Sequence, residues 1–294
     1  MHDLFETGDI LVAATDVDDR NVDLRKHAGA GRILHFDATL QPKGELRTGQ
    51  TGLVVGLGFD PTDRSLYACD PGSQTVTRFD RTGQCMGHVE SLPRARIGSI
   101  LCLRGGAFVA GLHSKIGESA DKPAARLYAG NLHTGQIKGL HAEVDGGKFG
   151  FHCITHMCLA SDERTLHYVS EGGRRLMCYD IQTRQQLPDL LRLDKEDPRY
   201  TMGPSILRNG TVLMATGRGA LYVGGDGVIE RDVVATPARG WSRLSLTLDQ
   251  RTFYLGNFLE GLLEKRDVVS GDVLQTLDIQ RKYSLSGLIE IPAP

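Results

Sequence analysis

The 294-residue sequence contains no apolar run near the roughly 18 residues that a membrane span needs. Its opening residues, Met1-His2-Asp3-Leu4-Phe5-Glu6, lack the basic-then-apolar layout of a secretory leader, so the expectation is a cytoplasmic protein. It also lacks an excess of either charge. With 34 Lys and Arg against 36 Asp and Glu, the net charge of −2 recommends neither nucleic acid nor an anionic membrane as partner. None of the six cysteines (Cys69, Cys85, Cys102, Cys153, Cys158 and Cys178) forms a C-x-x-C pair, and most fall inside apolar runs. That pattern reads as free, mostly buried thiols in a reducing compartment rather than as a disulfide framework. There is no G-x-S-x-G elbow, no phosphate loop and no H-E-x-x-H helix. No segment of any length carries a helical period.

What is present is glycine and repetition. The 36 Gly exceed the average share of about 7%, as a turn-rich β protein requires. The phrase Asp80-Arg81-Thr82-Gly83-Gln84 returns as Asn131-Leu132-His133-Thr134-Gly135-Gln136 and as Asp267-Val268-Val269-Ser270-Gly271-Asp272. A degraded copy stands at Asp180-Ile181-Gln182-Thr183-Arg184. Each copy lies between two short apolar runs and reads as a hairpin turn: Gly supplies positive φ, and Asp or Asn bonds the turn backbone. Gly83 and Gly135 are 52 positions apart, and the longer gap to Gly271 divides into three steps of about 45 through the Thr183 copy and Gly227. A second phrase, Asp60-Pro61-Thr62-Asp63-Arg64-Ser65-Leu66-Tyr67, is echoed at 161–168 and 248–254. Short strands at a period of about 40–50 residues are the signature of propeller blades.

In that phase the chain divides into blades of four strands, inner to outer. The first full blade takes 53–59, 65–69, 75–80 and 84–90; the second takes 97–103, 107–113, 125–132 and 136–144. The third takes 153–160, 165–170, 175–181 and 186–193; the fourth takes 204–207, 211–216, 220–224 and 227–235. The fifth takes 243–248, 252–257, 262–269 and 272–279. Three strands at 9–14, 31–36 and 44–47 remain at one end and a single strand at 286–291 at the other. Three and one complete a sixth blade. The expectation is therefore an all-β, six-bladed β-propeller of four-stranded blades, with five and seven as the neighbouring counts. The C-terminal strand joins the N-terminal blade, closing the ring and removing its open edges. Residues 1–294 form one domain, because each blade needs its neighbours to bury both faces. Polar insertions are expected at 15–31 and 114–123.

This grammar, with its D-x-x-T-G turns and its Asp-x-Arg-Thr turn before an aromatic strand end, resembles the NHL, YVTN and SMP-30/gluconolactonase-like propellers over nearly the whole chain. In the metal-dependent members of the last group, the resemblance implies inner-strand Asn side chains that hold a divalent cation with a Glu and an Asp. Aligning the turns puts Val55, Thr155, Met202 and Ser242 at those places. None is a good ligand for a hard cation, so no metal and no cofactor are expected here.

Propeller geometry puts the connections between blades, and those between second and third strands, around one mouth of the central channel, where functional residues gather. They carry Arg96, His113, Arg218, Trp241, Arg243 and Tyr283, with Arg239 and Lys282 beside them. Singly these Arg residues read as solvated loop charges. As a ring they read as forked donors for carboxylate or phosphate. Trp241, the one Trp, is either a stacking wall or an element of packing. In Phe151-His152-Cys153-Ile154-Thr155-His156-Met157-Cys158, two His four apart on a strand lie roughly 13 Å apart, too far to share a metal. His152, at the mouth, is the candidate acid–base group with Glu171 as its carboxylate, and His156 reads as a core histidine. Two functions follow as expectations. One is binding of a small anionic molecule or a partner protein at the mouth; the alternative is a metal-independent lyase or hydrolase using His152 and Glu171.

Overall fold

The computed structural model describes residues 3–15, 29–114 and 125–293, so most of both expected insertions lies outside the described residues. Every strand belongs to one of six four-stranded antiparallel sheets. Blade 1 combines β1 (Ile10–Thr15), β2 (Ala30–Phe36) and β3 (Pro42–Thr51) with β24 (Gly287–Glu290), which is its innermost strand. Ile10 pairs with Glu290 and Ala13 with Gly287, so the last strand of the chain closes the ring on the first. Blade 2 holds β4 (Gly56–Asp60), β5 (Ser65–Asp70), β6 (Thr75–Phe79) and β7 (Cys85–His88); blade 3 holds β8 (Ile97–Cys102), β9 (Ala107–Leu112), β10 (Leu127–Asn131) and β11 (Gln136–Leu140). Blade 4 holds β12 (His156–Leu159), β13 (Thr165–Val169), β14 (Arg175–Asp180) and β15 (Gln185–Arg192). Blade 5 holds β16 (Met202–Ile206), β17 (Val212–Ala215), β18 (Gly219–Val223) and β19 (Ile229–Val234). Blade 6 holds β20 (Trp241–Leu246), β21 (Thr252–Asn257), β22 (Leu262–Asp267) and β23 (Val273–Asp278). No described helix is long and apolar enough to cross a membrane.

The core is six slabs, one between each pair of neighbouring blades, and the two-residue period of the strands divides each sheet between two of them. Along β5, Leu66 and Ala68 face blade 1, while Tyr67 and Cys69 face blade 3. Along β17, Val212 and Met214 meet blade 4, while Leu213 and Ala215 meet blade 6. Ile10, Val12 and Leu288 of blade 1 pack on Tyr254 and Leu263 of blade 6 and complete the circle. This is why the middle strands are apolar at nearly every position rather than alternately. All six cysteines are free thiols, but Cys85 on an outer strand is exposed and only Cys69, Cys153 and Cys178 are buried.

The repeated phrase forms the turns between third and fourth strands. Asp80 Oδ1 accepts hydrogen bonds from the Thr82 and Gln84 backbone and from the Thr82 hydroxyl. Gly83, Gly135 and Gly271 have φ of 70–80°, and in the degraded copy Arg184 takes φ 59° in the place of glycine. Strand boundaries agree with the sequence reading to within four residues, and the shift at β12 has a local cause. This strand begins at His156 instead of 153, because His152 and Ile154 donate their N–H groups to Ser114 and Leu112 of blade 3.

Candidate functional site

Antiparallel blades bring the ends of their second strands and the starts of their inner strands to the same end of the ring. Asp70 ends β5, His113 follows β9, Ser170 and Glu171 follow β13, Thr216 follows β17, and Asn257 ends β21. His156 opens β12, Arg243 lies in β20, and Arg96 immediately precedes β8.

Glu171 Oε2 lies 2.7 Å from Nε2 of His113, so its imidazole is that of His113 rather than His152. Gly98 makes this possible, since a Cβ there would fall 2.5 Å from the His113 Cβ. Phe151 holds the other side of the ring at 4.6 Å between centroids. An ionised Glu171 accepts a hydrogen bond from Nε2–H, which leaves Nδ1 as the nitrogen with the free lone pair, enclosed and without a hydrogen-bond partner.

His156 is buried, and its Nδ1 accepts the backbone N–H of Gly203 from the next blade at 3.2 Å. The neutral ring therefore carries its proton on Nε2, a buried donor with no partner. Burial first, then the charges of Arg243 and His113, hold this imidazole well below its usual range. Among the described residues the Arg243 guanidinium donates one hydrogen bond, to the Leu288 carbonyl at 3.5 Å, and its Nε is enclosed without a hydrogen bond. It forms no ion pair with any described carboxylate. The side chain as a whole is half-buried, but its head is dry enough that burial lowers its pKa to about 10, and it remains protonated at neutral pH. Thr216 Oγ1 is a further buried hydroxyl without a partner. Asp70 is completely buried; burial raises its pKa, against hydrogen bonds from Ser73 and Gly72 and the charge of Arg96.

The other expected residues are placed differently. His152 is half-buried with its ring against Gly146 and makes no hydrogen bond to Glu171. Trp241 is fully buried between blades 5 and 6, and its indole N–H is bound by the Pro237 carbonyl at 2.6 Å, so it is packing and not a ligand wall. Tyr283 sits edge-on to Phe258 at the rim. Arg218 is half-buried and pairs with no described carboxylate. Arg239 and Lys282 both pair with Glu260, at 3.1 Å each, which neutralises that arc of the expected ring. Arg96 has the buried Asp70 as counter-charge, which leaves Arg218 and Arg243 without a described one, and of these two Arg243 has its Nε enclosed.

A divalent ion of the lactonase type does not fit the inner-strand starts. Val55 and Met202 are buried and offer no oxygen, Met202 Sδ already accepts the Gly172 N–H, and Thr155 Oγ1 is bound to Cys153 Sγ at 2.8 Å.

Together these features define the chain as a six-bladed β-propeller whose channel mouth concentrates unpaired donors. No protein-family profile and no curated protein matches the chain. Among solved structures it is similar to a chain of a nidogen–laminin complex, with a TM-score of 0.70 and 12% identity over 98% of this chain and 100% of that one. A gluconolactonase from Xanthomonas campestris superposes with a TM-score of 0.58 and 15% identity, over 87% of this chain and 97% of that one. The β-propeller domain of Cps50 (Swd1) from Myceliophteria thermophila gives a TM-score of 0.57 and 14% identity, over 92% and 87%. Similarity at this level carries the fold alone.

Proposed function

We propose that the channel mouth binds a small anionic molecule, with Arg243 as its principal anchor. The observation that carries this reading is a half-buried guanidinium whose Nε is enclosed without a hydrogen bond and which has no described carboxylate beside it. An enclosed charge without a partner is costly, and an anion that arrives with the ligand removes the cost. The unpartnered Nε2–H of His156 and hydroxyl of Thr216 supply neutral donors to the same ligand. Enclosed donors serve what can enter the channel, which favours a small molecule over the surface of a protein partner. Thermal-shift and calorimetric titrations with monocarboxylates, dicarboxylates, sugar acids and inorganic phosphate test it. At least one anion should raise the Tm of the wild type and fail to raise that of Arg243→Met. If every anion acts equally on both proteins, the proposal is wrong.

The His113–Glu171 pair supports a second reading, metal-independent acid–base chemistry as in a lyase or hydrolase, with His113 in the role expected of His152. Lactones and carboxylic esters, whose hydrolysis a His–Glu pair can assist as general base, are the first substrates to try. Turnover that survives chelators and disappears in His113→Gln supports this reading, and turnover retained in His113→Gln removes it.

A further inference from the structure

The opposite end of the ring carries an arrangement that the channel mouth does not use. Asp60 ends β4 and Asp63 lies in the β4–β5 turn of blade 2, and His133 lies in the β10–β11 turn of blade 3. One ligand atom from each falls within 4.8 Å of the others. We propose that these three residues bind a divalent transition-metal ion, with zinc as the best match, between the two blades.

The geometry favours a common centre over a set of mutual hydrogen bonds. His133 Nε2 lies 3.0 Å from Asp60 Oδ2 and 3.4 Å from Asp63 Oδ2. Despite these distances, Asp60 Oδ2 takes part in no hydrogen bond although Asp60 is 0% exposed. The ring nitrogen is close to the oxygen without being aligned on it, as when both face a third point. Ligands at about 2.0–2.2 Å from one ion are themselves about 3.0–3.5 Å apart in octahedral or tetrahedral arrangements, which brackets both spacings.

The surroundings hold each ligand in place. Asp60 Oδ1 accepts the Thr62 N–H at 2.8 Å, which leaves Oδ2 to face His133. Asp63 is fixed by the Ser65 N–H at 3.0 Å and by Arg78 at 2.9 Å. Arg78 offsets one of the two carboxylate charges, and one negative charge remains for a cation. Gly106, at φ 77°, lies under the imidazole, and a Cβ there would stand 2.6 Å from ring atoms. Asn131 secures the His133 backbone N–H at 3.0 Å and the Gly105 carbonyl at 2.7 Å. Gly105 in turn donates to the Thr62 hydroxyl across the blade boundary at 2.9 Å. The His133 side chain is 36% exposed, so an ion has a route from solvent, and the remaining coordination positions fall to water.

Imidazole with two carboxylates suits zinc, with manganese and cobalt as substitutes. The full chain, stripped with chelator, is titrated with ZnCl2, MnCl2 and CoCl2, with Tm and heat as readouts. Zinc should raise the wild-type Tm saturably with near one-to-one stoichiometry, and affinity should fall at least tenfold in His133→Gln and in Asp63→Asn. Bound Co²⁺ should show d–d bands without thiolate charge transfer, which separates this site from the free cysteines. Equal zinc binding by wild type and both variants overturns the proposal. So does thiolate absorption, or a wild-type Tm that responds to none of the ions.

Discussion

At the scale of single residues, His156 couples the channel to pH. Its folded pKa lies well below the ordinary histidine value of about 6.5 because burial, Arg243 and His113 all oppose a second proton. Below that value the unfolded chain takes up a proton that the folded ring refuses. The stabilisation is therefore complete above about pH 6.5 and is lost progressively as pH falls beneath it. His156→Asn, which keeps a side-chain acceptor for Gly203, should flatten the decline between pH 6.5 and 5 by up to about 1.4 kcal/mol per pH unit. Urea unfolding of both proteins at half-unit steps measures the difference, and parallel pH profiles would count against a neutral, buried ring. His167, also lowered by burial, titrates in the same direction in both proteins and cancels. Sequence placed Arg243, His113 and Glu171 at the mouth but paired Glu171 with the wrong histidine. Strand spacing locates a residue along a blade, whereas which imidazole meets it depends on how residues 152–154 cross onto blade 3. The Asp60–Asp63–His133 group was missed because each member sat in a phrase already explained as a turn. The signal was available, since turns at the β4–β5 and β10–β11 positions of adjacent blades share one end of the ring.

At the scale of elements, stability resides in the slabs between blades. Phe108 on β9, 1% exposed, packs in the slab shared with Tyr67 and Val76 of blade 2. Phe108→Ala should cost about 3–5 kcal/mol through lost transfer energy and the cavity left behind. Chemical denaturation is the measurement, and a cost below about 1 kcal/mol would mean that the slab collapses to refill the space. Second and third strands were well read because they serve two slabs and their apolar runs are continuous. The outer strands, such as β7 with its exposed Cys85 and Met86, carry one buried face at most and a weaker pattern. Boundaries drifted there for that reason, whereas at β12 the backbone of 152–154 was drawn onto blade 3.

At the scale of the whole molecule, ring closure depends on β24. Leu285, Leu288 and Ile291 are buried within the slabs on either side of blade 1. Truncation before residue 285 should abolish the cooperative monomeric transition and yield aggregates or strand-exchanged oligomers, because β1 would be left with an unpaired edge. Circular dichroism melting with size-exclusion chromatography tests this, and a truncated monomer melting within a few degrees of wild type would refute it. The Ile10–Glu290 pairing also sets a schedule for biosynthesis. At about 5–20 residues per second, a ribosome needs roughly 15–60 s to deliver this chain. For nearly all of that time the nascent β1 waits for a strand not yet made. The innermost strand of blade 1 is translated after every other strand of the ring, so the ring cannot close until the other five blades have been made, and the unfinished edge is where a chaperone would have most to protect.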